Sequence, residues 1–188
     1  MAKAKSKASA NASGEGTRVD HPLEPVFDQH SRVLMLGTMP SPKSREAGFY
    51  YMHLQNRFWK VLAALFDEPE PQGVEARRVF ALAHGIALWD TLASCTITGA
   101  SDASIADAAP NDLTRIAATA PLEAVFTTGT KATELFRRHC ANMLPDVPHT
   151  ALPSTSPANA RMRLDDLVKA YQTVADVLGV TSPCSHTP

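Results

Sequence analysis

Arg32-Val33-Leu34-Met35-Leu36, running directly into Gly37-Thr38-Met39-Pro40-Ser41, is a short apolar stretch that stops in a turn of small and polar residues. Three further runs repeat the pattern: Ile86–Trp89 before Asp90-Thr91, Ala124–Thr127 before Thr128-Gly129-Thr130, and Val147–Leu152 before Pro153-Ser154-Thr155-Ser156-Pro157. Helical patterns fall between and after them, at Asn56–Phe66, Val74–His84, Asp112–Ala120, Lys131–Met143 and Met162–Leu178. In the last of these, Leu164, Leu167, Val168, Tyr171, Val174, Ala175 and Leu178 share one face at 3.6-residue spacing. Strand-like runs alternating with helices predict an α/β fold, a single three-layer domain around a central, mainly parallel four-stranded sheet.

Ligands of open α/β sheets bind beyond the carboxyl ends of the strands, so the turns after the four runs are where chemistry is expected. Any α/β protein also needs glycine, proline and serine at such turns, so composition alone leaves the choice open. A length of 188 residues with 44% hydrophobic and 20% charged residues fits one globular domain. Residues 1–20, built from Ala, Ser, Gly and Lys, read as a disordered tail, residues 21–180 as the domain, and residues 181–188 as a flexible tail. Cys95, Cys140 and Cys184 are widely spaced and form no C-x-x-C pair, which points to a reducing, cytoplasmic setting and to no metal site. No apolar run reaches the length of a membrane span. The net charge of −1 offers no global attraction to a polyanion, so nucleic-acid binding would rest on local basic clusters.

The order and spacing of three elements carry a resemblance. Gly37-Thr38-Met39-Pro40-Ser41, then Gly48-Phe49-Tyr50-Tyr51, then Gln55-Asn56-Arg57-Phe58-Trp59, resembles the first motif of the uracil-DNA glycosylase superfamily. It is closest to the mismatch-specific and hypoxanthine branches, with their G-x-x-P turn and N-R-F-W element. Leu152-Pro153-Ser154-Thr155-Ser156-Pro157-Ala158-Asn159-Ala160 is similar to the second motif, and Ala87-Leu88-Trp89-Asp90 to a strand whose end meets the flipped base. Gly99-Ala100-Ser101-Asp102 through Pro110-Asn111-Asp112 also looks like the hypoxanthine branch, and the resemblance spans roughly residues 21 to 178. Met39 replaces the Asp or Asn that positions water in many members, and Ser154 replaces a His or Asn. Both departures point away from strong uracil excision and toward hypoxanthine.

The resemblance implies a monofunctional DNA glycosylase, without cofactor or metal, acting as a monomer on DNA that contains a deaminated base. Asn56 and Ser154 are the expected catalytic residues. Gly37, Thr38, Met39, Pro40, Phe49, Tyr50, Asp90, Ser156 and Asn159 are expected to bind substrate. Extruding a nucleotide requires an aromatic face to stack the base and polar groups to read its edge, which makes Phe49 or Tyr50 the expected platform unless both are core. Asn56 and Asp90 have capping as the alternative role, and Asn111 and Asn159 turn formation. Ser156-Pro157 fits a helix N-terminus suited to a phosphate. Lys43, Arg45, Arg57, Lys60, Arg161 and Arg163 form the expected DNA-facing strip; His53, beside the aromatic cluster, is a candidate acid or base with a structural role as the alternative, and His84 and His149 read as structural. No lysine occupies an identifiable Schiff-base position, which excludes an obvious lyase step. A non-catalytic nucleotide- or DNA-binding module is the reading of another class, weakened by the absence of a G-x-G-x-x-G or Walker pattern.

Overall fold

The computed structural model describes residues 16–98 and 104–180. Four parallel strands form the central sheet: β2 (Val33–Gly37), β3 (Ile86–Asp90), β6 (Ala124–Thr128) and β7 (His149–Leu152), in the order β3-β2-β6-β7. Every residue of β2, β3 and β6 is buried, so both faces of these strands are covered, which is why they read as unbroken apolar runs rather than alternating ones. The expected α/β fold with a parallel four-stranded sheet is borne out. In register, Gly37 lies beside Asp90 and Thr128 beside Leu152, so the strands end together along one rim.

The chain between β2 and β3 carries α1 (Pro42–Ala47), α2 (Phe58–Phe66) and α3 (Gly73–Ala83). From α2, Phe58, Trp59, Val61, Leu62 and Leu65 are buried, each worth about 1.5–3 kcal/mol of transfer free energy for its full size. The helices α4 (Thr114–Ala117), α5 (Thr130–His139) and α6 (Leu164–Leu178) complete the order. The Arg32 guanidinium joins the base of β2 to the end of α6, donating to the carbonyls of Val177 and Leu178 and to the Glu123 carboxylate.

Several expectations are corrected. A second, antiparallel sheet is present, β1 (Thr17–Asp20), β4 (Leu92–Ile97) and β5 (Ala106–Pro110) in the order β1-β4-β5. Its first strand takes residues 17–20 out of the expected tail, while residues 1–15, 181–188 and the Gly99–Asp102 stretch lie outside the described residues. The helix α1 was not anticipated, although Ser41 caps it through Ser44 N–H and Pro42 opens it. The helix expected at Asn56 starts at Phe58, and the one expected through Met143 stops at His139, ahead of a 3₁₀ turn at Ala141–Met143. No helix starts at Ser156: this segment is a turn, and α6 begins only at Leu164.

Candidate active site

A cavity of about 600 Å³ opens over the carboxyl ends of the parallel strands, within the range of small-ligand sites. Gly37 to Ser41 and Asp90 form its floor, Tyr50, Tyr51, His53 and Asn56 one wall, Thr128 and Ser154 to Ala158 another. Val19, Cys95 and Ile97 from the antiparallel sheet close a further side, a contribution that the sequence reading missed.

Asp90 is the single carboxylate among the lining residues and is almost fully buried. Its Oδ2 lies 2.9 Å from His21 Nε2, and that ring is itself buried. The Leu23 N–H donates to His21 Nδ1 at 3.2 Å, which assigns the ring proton to Nε2 and makes the imidazole the donor and Asp90 the acceptor. The other oxygen, Oδ1, packs over the α-carbon of Gly37. A β-carbon there would sit 2.3 Å from Oδ1 and 3.5 Å from Tyr51 Oη. Asn111 braces the same corner, its amide donating to the carbonyls of Asp90 and Leu92 at 2.9 Å each. Gly37→Ala is expected to force the carboxylate out of place, at about 1–3 kcal/mol of stability for an overpacked site. Thermal unfolding checks this, and an unchanged melting temperature would show that Asp90 is free to move.

Tyr51 has φ of 56°, a left-handed backbone conformation rare for a bulky residue. Phe58 stacks on its ring at 3.7 Å between centroids and 11° between planes, and the phenol hydroxyl meets Thr128 Oγ1 at 3.2 Å. Burial, with the nearby Asp90 charge second, pushes this phenol well above its ordinary range, so it stays protonated. Burial and Asp90 do the same to Tyr50, whose hydroxyl donates to the Glu24 carbonyl at 2.9 Å.

Asn56 joins the two long walls. Its Oδ1 accepts from the Phe58 N–H at 3.0 Å and from Thr155 Oγ1 at 2.9 Å. A backbone N–H can only donate, so the amide orientation is fixed, both lone pairs are engaged, and the NH₂ group is what Asn56 can offer to the cavity. Beside it, the Arg57 guanidinium donates to the carbonyls of Thr155, Ser156, Asn159 and Met162, holding the Ser154–Met162 segment against the N-terminus of α2. The segment so held is a turn.

A family model described as the uracil DNA glycosylase superfamily matches residues 24–175. The chain belongs to this superfamily. A curated relative from Methanosarcina acetivorans, named hypoxanthine DNA glycosylase, is 29% identical over 72% of this chain and 85% of its own length. A second of the same name, from Methanosarcina barkeri, is 31% identical over 58% of this chain and 71% of its own. A solution NMR structure from M. acetivorans superposes with a TM-score of 0.70 at 24% identity, covering 84% of this chain and 99% of that one, and supports the fold.

Against the superfamily motifs, Gly37, Thr38, Met39, Pro40, Tyr50, Asn56, Asp90, Ser154 and Ser156 all line the cavity. Phe49 does not: it is core, stacked 6.1 Å from Trp59 and covered by Arg78. Asn159 does not line it either, since its amide donates to the Ser154 carbonyl and shapes the loop. The aromatic ring presented with Tyr50 is Tyr51, which the sequence reading left aside. Its position after the G-F-Y run was visible, but its left-handed backbone was not. His53 also lines the cavity, with Nδ1 taken by the Gln55 N–H.

Of the basic residues, Arg45 lines the cavity and donates to the Pro40 carbonyl. Lys43 is exposed and paired with Glu46, and Lys60, Arg161 and Arg163 are exposed. Arg57 is spent on carbonyls and leaves the expected strip. His149 packs on Phe136, and His84 on Phe66. Among the described residues no group of three His, Cys, Asp or Glu could hold a metal, and no helix is long and apolar enough to cross a membrane.

Proposed function

We propose that this superfamily member is a monofunctional DNA glycosylase that releases hypoxanthine from deoxyinosine, acting as a monomer in the cytoplasm. The observation that carries the reading is the Asp90 carboxylate beside Tyr51 on the cavity floor. A base extruded from DNA and stacked along the Tyr51 ring has its edge at Asp90 Oδ1. Hypoxanthine presents its N1–H there, whereas adenine presents a lone pair that a carboxylate repels. The names carried by the two curated relatives support the same substrate.

Cleavage passes the electron pair of the C1′–N9 bond to the base and leaves positive charge on the sugar. Water then bonds to C1′ and gives up a proton, which passes through solvent to the departed base anion, leaving neutral hypoxanthine and an abasic site. A sugar cation is captured by water without a strong base, so a donor that holds the water oxygen and leaves its second lone pair free is sufficient to place it. The Asn56 amide is that donor, and the Ser154 and Ser156 hydroxyls flank the same wall. Lys43, Arg45, Lys60, Arg161 and Arg163 hold phosphates around the mouth, a role favoured by their exposure or position at the rim. Met39 shapes the pocket without polar contact.

The test is incubation of purified protein with oligonucleotides carrying inosine, uracil or xanthine, followed by alkali. Base release from inosine with an intact strand before alkali is expected. Because uracil N3–H would also meet Asp90, preference for uracil over inosine would overturn the substrate assignment. Strand cleavage trapped by borohydride would overturn the monofunctional one.

A further inference from the structure

We propose that His21 is a positioning residue that clamps Asp90 in the orientation that reads the base. The inference rests on the glycosylase reading and deepens it. His21 lines no part of the cavity, so what it does for a substrate it does through Asp90. Among the described residues, its Nε2–H is the one hydrogen-bond donor that reaches this carboxylate. A carboxylate turns about its last bond, and a single donor on Oδ2 settles that Oδ1 is the oxygen left beside Gly37 and the cavity. Without that donor, a carboxylate buried as Asp90 is takes up a proton or turns away. Either outcome removes the acceptor from the cavity floor.

The chain builds a frame for this ring. His21 directly follows β1, and its backbone N–H donates to the Ala93 carbonyl of β4 at 2.7 Å. Further on, Val26 exchanges two hydrogen bonds, of 2.9 and 2.8 Å, with Leu88 on the strand that carries Asp90. Between these anchors the Leu23 N–H holds Nδ1, while Tyr50 donates to the Glu24 carbonyl and sets its ring 6.3 Å from the imidazole. The imidazole is therefore fixed from both sheets, and it reaches the site from outside residues 24–175, the span that the superfamily model matches. Apolar side chains of similar size would fill this corner with equal or better stability. The buried pair is accounted for by what it does to Asp90.

The experiment crosses two substitutions. In His21→Gln the side-chain NH₂ takes the place of Nε2–H, and the Leu23 contact is given up. In His21→Asn the side-chain oxygen takes the place of Nδ1 and keeps Leu23, but no donor reaches Asp90. Single-turnover excision of inosine is expected to fall by about tenfold or more in His21→Asn, a part of the loss expected when the acceptor itself is removed. His21→Gln is expected to stay close to wild type, whereas a role confined to holding the fold predicts the reverse order. A second readout is a reversal of sign. In Asp90→Asn the His21 donor holds the amide oxygen and turns NH₂ toward the base; adding His21→Asn frees that amide to present its oxygen. The double variant is therefore expected to cut inosine faster than Asp90→Asn alone. Excision by His21→Asn at or above the rate of His21→Gln overturns the clamp, as does a double variant no faster than Asp90→Asn. Nitrogen-15 NMR of the wild-type imidazole reads the ring without turnover: a proton on Nε2 is expected, and a ring without one overturns the clamp. If wild-type protein leaves inosine intact, the substrate reading fails separately, and the same variants compared on uracil decide the clamp by the same criteria.

Discussion

Asp90→Asn is expected to lower single-turnover release of hypoxanthine by about two to three orders of magnitude, because a site built around a hydrogen bond discriminates strongly when that bond is lost. The direction follows from His21. Its Nε2–H, fixed as a donor by Leu23 at Nδ1, selects the amide oxygen of the new side chain and turns the NH₂ group toward Gly37 and the cavity. An acceptor becomes a donor facing the purine N1–H. Since His21 keeps its partner, stability should change by no more than about 1 kcal/mol, the net worth of one hydrogen bond. Paired rate and unfolding measurements check both statements. Near-normal excision by a stably folded Asp90→Asn protein would remove Asp90 from base recognition.

Asn56→Asp carries the second large effect and separates two roles that Asn56→Ala would confound. Aspartate accepts from the Phe58 N–H and from Thr155 Oγ1 as asparagine does, so the cap is kept. It has no NH₂, so the donor to the cavity is lost. Excision is expected to fall by about two to three orders of magnitude with little change in unfolding temperature. Asn56→Ala should match that rate loss and add about 1 kcal/mol of instability from the missing cap. If Asn56→Asp cleaves inosine normally, the amide donor has no part in the reaction and Asn56 is a cap alone.

The central sheet was legible because burial on both faces leaves a mark in sequence, as in Val33-Leu34-Met35-Leu36. The antiparallel sheet left little. Ala106-Asp107-Ala108-Ala109-Pro110 lacks β-branched and aromatic residues, and Thr17–Asp20 emerges from a stretch of Ser, Gly and Glu. Both strands are specified by pairing with β4 rather than by local preference. The two Ser-Pro dipeptides show the same limit at closer range. Ser41-Pro42 opens α1, whereas Ser156-Pro157 lies in a turn that a guanidinium more than ninety positions away holds in place. In the site, strand ends located the cavity and half of its lining. Which rings of this run reach the cavity was not legible, because Phe49, Tyr50 and Tyr51 differ in backbone angle and neighbours rather than in type. His21 carried no signal, since its importance is a pairing with Asp90 across 69 positions.

Arg57 fastens one loop of the site to the other through four carbonyls, and this bears on how lesions are found. With the two loops locked together, neither has to fold over each nucleotide before it is judged, so binding spends little on ordering them. Inspection time per base is then governed by how readily that base leaves the helix. Poorly paired positions, which open more often, are sampled first. The search along the genome is thereby biased toward damage by the DNA itself, before any atom of the pocket has read the base.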